Sequence, residues 1–133
     1  MNLHLSLIGV ILILLAFAHL IFPKYFDWEK ELSSLSLINK QLMHVHTFFI
    51  ALVVFMIGLL CISCTYDIIH TRLGHRIALG LSFFWGIRLF FQFFVYSPKL
   101  WKGKLLETTM HYFFAILWIY LTVVFFLIYK SYT

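Results

Sequence analysis

Apolar residues run almost unbroken through four stretches of the chain, 5–22, 43–64, 77–96 and 109–129, and the charged residues gather mostly between them. Each run reaches the roughly 18–20 residues needed to cross a hydrocarbon core about 30 Å thick, and none alternates with the period of two of a membrane β-strand. The pattern predicts four transmembrane helices. Ala16-Phe17-Ala18 looks like a small-residue cleavage site within the first run, but no Lys or Arg precedes it, so the run is read as a membrane helix.

The connections carry their own signals. Pro23 is expected to end the first helix, after which Asp27 can cap a short interfacial helix with Trp28, Leu32 and Leu35 on one face. Asn39, Lys40 and Gln41 lead into the second helix, which is expected to begin near Ser36 and to be the longest. The turn 65–75, with Asp67 and Gly74, is short enough to join antiparallel neighbours, and the stretch 97–108 sets Trp101 among lysines, as suits a headgroup layer. The expected fold is an all-α membrane protein. Its four transmembrane helices form an up-down-up-down bundle, with the short interfacial helix between helices 1 and 2, in a single domain spanning 1–133.

Composition agrees with the pattern: 63% of the 133 residues are hydrophobic, 20% aromatic and only 11% charged, far from a soluble domain. The net charge of +5 would suggest nucleic acid in a soluble protein. Here the basic residues lie mainly in loops and at helix ends, so lipid headgroups are the expected partner and nucleic acid is not. Lys24, Lys30, Lys40, Lys99, Lys102 and Lys104 fall on one side, and Arg72, Arg76 and Lys130 on the other. The positive-inside rule then places loops 23–42 and 97–108 in the cytoplasm and both termini outside, in a plasma or inner membrane.

Polar residues inside the apolar runs are the candidate chemistry, because ionisable groups within a bilayer are costly and tend to face the protein interior. His19 continues the stripe of Leu12 and Ala16, and His111 belongs to the stripe Thr108, Ala115, Trp118 and Thr122. His44 and His46 are two residues apart, about 200° around a helix, so a regular helix cannot aim both at one ion. His44, in line with Thr47 and Ala51, is favoured as the inward one. Arg88 and Gln92 share a face with Trp85, and Arg88 lies eight residues, about 12 Å, before Tyr96. An arginine at that depth needs a partner: the acidic residues on the matching side are Asp27, Glu29, Glu31 and Glu107, of which Glu107 stands one turn before His111, and a ligand carboxylate or phosphate could serve instead.

Neutral imidazoles at similar depth suit a metal ion or haem b, held by His19, His44 and His111, with His46 as the substitute ligand. Arg88, Gln92, Glu107, Trp85 and Trp118 would then orient those ligands or meet a substrate, in redox or metal-dependent chemistry on a lipid-soluble molecule. Three other readings stand beside it. One is a proton-coupled small-anion transporter built around Arg88, which as a four-helix chain would need a homodimer. Another is a quinone-type site with Trp85 or Trp118 stacked on the head group, and the last is a non-catalytic accessory subunit of a larger membrane complex. Cys61 and Cys64 form a C-x-x-C, but at the C-terminal end of a helix, where the dipole does not favour a thiolate; buried small side chains are the better reading. His4, His70 and His75 read as loop or interface residues on the opposite side.

Overall fold

The computed structural model describes residues 1–100 and 103–131, Pro98 by its backbone alone, and Trp101 and Lys102 lie outside the described residues. The described chain is helical, with no strand. Four helices are long and apolar enough to cross a membrane: α1 (Asn2–Tyr25), α3 (Leu37–Ser63), α5 (Arg72–Phe94) and α6 (Leu105–Ser131). Among the described residues three short helical segments interrupt the connections: α2 (Trp28–Glu31) after the first span, α4 (Thr65–His70) before the third, and a single 3-10 turn (Pro98–Leu100) before the fourth. The chain divides into two compact units, Asn2–Thr65 and Tyr66–Thr133.

Pro23 does not end α1. It lies inside the last turn, and the amide of Phe26 still reaches the carbonyl of Phe22 at 2.9 Å, closing one more turn beyond it. A proline costs least where few further bonds depend on its missing N–H, and only two residues of α1 follow it. Asp27 occupies the N-cap of α2 in the left-handed region (φ 51°, ψ 54°) without a side-chain capping bond. Ser36, by contrast, caps α3 through the amide of Asn39, which places that helix start where the sequence suggested. At 27 residues α3 equals α6 in length rather than exceeding it.

In the first unit α1 packs antiparallel on α3. The buried stripe of α1 is Leu5, Ile8, Gly9, Leu12 and Ala16, and that of α3 is Ala51, Val54, Gly58 and Cys61. Gly9 and Gly58 mark the closest approach: a Cβ built on Gly58 would lie 2.9 Å from the Gly9 carbonyl oxygen, and one on Gly9 would lie 2.8 Å from that of Gly58. Lipid tails are as apolar as the helix faces, so such backbone contact, rather than burial from water, holds membrane helices together. Cys61 is fully buried at this interface and Cys64 is half-buried; both thiols are free.

The second unit is the antiparallel pair α5 and α6. Thr71 caps α5 by accepting from the amide of Gly74 at 2.9 Å, and His75 follows in the first turns. His75 is buried and its Nδ1–H donates to the carbonyl of Ile128 at 2.6 Å, so it fastens two helices and is not a loop residue. Two turns further along α5, the Ser82 hydroxyl donates to the Thr122 carbonyl at 2.9 Å. Bonds of this kind between membrane helices contribute about 0.6 kcal/mol on average and up to about 1.7.

Candidate functional site

The faces expected from periodicity are the buried ones in α5 and α6. Ala78, Ser82, Trp85 and Gln92 are buried on α5, and His111, Ala115, Trp118 and Leu121 on α6. This alignment brings the indoles of Trp85 and Trp118 into a parallel stack, with centroids 5.0 Å apart and planes 8° from parallel. Phe114 stacks on Trp118 at 5.6 Å and Phe84 meets Trp85 edge-on.

Gln92 links this stack to His111. The Trp118 Nε1–H donates to Gln92 Oε1 at 3.4 Å, while the Gln92 amide nitrogen lies 2.8 Å from His111 Nδ1. Because an indole can only donate, it fixes which end of the amide faces it, and the amide nitrogen must then donate to His111. His111 Nδ1 is therefore an acceptor, and in the neutral ring the proton sits on Nε2. An imidazole that offers a metal its Nε2 lone pair carries its proton on Nδ1 and donates from there. The hydrogen bond sets His111 in the opposite tautomer.

Arg88 lies one turn from Trp85 and one from Gln92 on α5. Its guanidinium runs along the helix toward Tyr96, with Cζ 5.3 Å from the Tyr96 ring centroid and Nη2 donating to the Tyr96 hydroxyl at 3.4 Å. The same Cζ lies 5.2 Å from the Trp118 ring. Two aromatic faces and one hydroxyl thus receive the charge, and no carboxylate among the described residues pairs with it. Arg88 Nη1 is buried without a hydrogen-bond partner, and so is Trp85 Nε1, although Trp85 is only 2% exposed. Both unpartnered groups are donors, and both belong to side chains that touch the Trp118 ring.

The other expected site residues are dispersed. Glu107 is exposed in the first turn of α6, where a carboxylate complements the helix dipole; it does not meet Arg88. In the first unit His19 is half-buried and its Nδ1–H donates to the carbonyl of Leu15 at 2.8 Å, turning the ring back along α1 beside Phe22. His44 is exposed and meets the edge of Trp28, with ring centroids 5.3 Å apart, and His46 is exposed as well. Among the described residues no group of three or more His, Cys, Asp and Glu is placed to hold a metal ion.

Two features of these sites were not drawn from the sequence. Tyr96 proves to be the hydroxyl and ring that receive Arg88, and its spacing of two turns from Arg88 was the available signal. Lys24, Asp27, Glu29 and Lys40 line a cleft with Trp28 and His44, which only the return of the chain through α2 brings together. Compared with known protein families, with characterised proteins and with solved structures, the chain finds no match.

Proposed function

We propose that the chain is an integral membrane protein that binds, within the bilayer, an amphiphile bearing a carboxylate, held by Arg88 and Trp85 on the α5–α6 pair. The observation that carries this reading is the pair of buried donors without an acceptor, Arg88 Nη1 and Trp85 Nε1. A buried unsatisfied donor costs about 1–3 kcal/mol, and more where the group is charged. A carboxylate supplies two oxygens and one negative charge to this pair, and charge-assisted bonds to arginine are the stronger kind. The Trp85–Trp118 stack forms an apolar wall beside the head group, and the Gln92 bridge to His111 holds Trp118 in place.

Oleate titrated into the protein in lipid nanodiscs is expected to change tryptophan emission saturably. Methyl oleate, which keeps the chain and loses the charge, should bind at least about tenfold more weakly, as a charged hydrogen bond of about 1.5–3 kcal/mol implies. Saturation by inorganic phosphate in place of oleate would instead favour the small-anion reading. No response to any of the three would remove Arg88 as a binding group.

A metal or haem site draws support from one observation, that the Nδ1–H of His19 is already committed to Leu15 and its Nε2 is left with the lone pair. An absorption spectrum and elemental analysis of the gently purified protein decide it. A Soret band or a stoichiometric metal, lost in His19→Ala, would establish that reading; the arrangement at His111 leads us to expect neither.

A further inference from the structure

The first unit holds two adjoining hollows. At the end where α1 stops and α3 begins, a cleft of about 520 Å³ is lined by Lys24, Asp27, Trp28, Glu29, Lys40 and His44. Deeper along the same pair of helices runs a groove of about 180 Å³, lined by Ala16, Phe17 and Leu20 on α1 and by Phe48, Leu52 and Phe55 on α3. The linings continue each other. On α1 the row is Ala16, Leu20, Lys24, and on α3 it is Lys40, His44, Phe48, Leu52, Phe55, in steps of three and four residues that keep to one helix face.

At 1.5 Å per residue, Lys24 and Ala16 are about 12 Å apart along α1, most of the depth of one leaflet of a hydrocarbon core about 30 Å thick. The charges in the cleft balance. Two ammonium groups and two carboxylates gather there, and none of the four forms an ion pair with another described residue. Trp28, buried against His44, adds an indole, a residue type favoured at the membrane–water boundary.

We infer that this unit binds one zwitterionic phospholipid, its head group in the cleft and an acyl chain in the groove. Lys24, Lys40 and His44 face the phosphate, and Asp27 and Glu29 face the ammonium. A doubly polar head group matches a cleft with both signs, whereas a purely anionic one would meet the two carboxylates. The helix ends place the cleft at headgroup level, so the bilayer itself supplies the occupant. This site shares no residue with Arg88 and stands whether or not the Arg88 reading holds.

The full-length protein, reconstituted in nanodiscs with equal dioleoyl-phosphatidylethanolamine and dioleoyl-phosphatidylglycerol, is then examined by native mass spectrometry. One phosphatidylethanolamine per chain is expected to be retained, in preference to phosphatidylglycerol by roughly threefold or more. K24Q/K40Q, which takes the counter-charges from a phosphate that both lipids carry, should lower retention of both while keeping the preference for phosphatidylethanolamine, with helix content unchanged by circular dichroism. D27N/E29Q, which leaves the cleft cationic, should reverse the preference toward phosphatidylglycerol by roughly tenfold, since each basic group near a membrane surface contributes about one power of five to anionic-lipid affinity. Leu52→Trp, projecting into the groove, should lower retention of either lipid. Equal retention of both lipids by the wild type, or a wild-type preference for phosphatidylglycerol, overturns the inference. So does a D27N/E29Q protein with unchanged selectivity, which would mark the bound lipid as part of the general annulus.

Discussion

Arg88→Leu is expected to make the ligand-free protein more stable while abolishing binding of the carboxylate. Arginine at the centre of a membrane helix costs about 2.5–3.5 kcal/mol on insertion scales, and leucine there is favourable by about 0.3–0.6 kcal/mol. Against this stand the contacts that Arg88 makes with the Tyr96 and Trp118 rings and the Tyr96 hydroxyl. A cation over an aromatic face contributes about 0.5–1 kcal/mol when exposed and about 2 when desolvated. The penalty exceeds the compensation, because one guanidinium nitrogen remains buried without an acceptor. A gain of about 1–2 kcal/mol follows, to be measured by reversible unfolding in detergent, beside a loss of oleate affinity of at least about tenfold. A residue that only fastened the helices would behave the other way. If Arg88→Leu lowers stability, the guanidinium is a structural group and the binding proposal falls with it.

The unpartnered donors gain weight from what surrounds them. Gln92, His111 and Trp118 form a bonded chain in which the donor and acceptor roles are all determined. Elsewhere in the same unit His75 and Ser82 reach carbonyls across the helix pair. Buried polar groups that serve packing alone are ordinarily satisfied in this way. Arg88 Nη1 and Trp85 Nε1 depart from that pattern side by side on one helix face, three residues apart. Destabilised positions of this kind concentrate where a protein meets a ligand, since activity and stability trade against each other.

Helix faces were legible in the sequence because a membrane helix keeps all its backbone bonds to itself and leaves the side-chain stripe as the main variable. Leu12 and Ala16, Trp85 and Gln92, and His111, Ala115 and Trp118 are buried on the stripes where periodicity put them. What periodicity could not carry was the chemistry of a single contact. The tautomer of His111 depends on the orientation of one amide on another helix, and the committed Nδ1 of His19 depends on a rotamer. By sequence the turn 65–75 reaches His75 and makes it a loop or interface residue; Thr71 instead caps α5, which puts His75 on the inner face of that helix. Glu107 shares a face with His111 by spacing, yet at the start of α6 its carboxylate is exposed, where water and the helix dipole stabilise it better than a buried pair would.

Two glycine-to-alanine changes of identical chemistry are expected to move stability in opposite directions. Gly58→Ala places a methyl 2.9 Å from the Gly9 carbonyl oxygen and 3.2 Å from the Ile13 amide nitrogen, both backbone atoms that cannot turn aside. The α1–α3 pair must then separate, losing dispersion contacts along its closest stretch, at about 1–3 kcal/mol for an overpacked interface. Gly80→Ala meets nothing within 4 Å, so there the added methyl only removes backbone freedom from the unfolded chain. That favours the helix by up to about 1 kcal/mol. Unfolding midpoints of the two variants, measured in the same detergent, should fall on opposite sides of the wild type. The double variant Gly9→Ala/Gly58→Ala should cost less than the sum of its parts, because the first methyl already forces the helices apart. Additive losses at Gly9 and Gly58, or a Gly58→Ala protein as stable as the Gly80→Ala one, would show that the helices do not cross at this point.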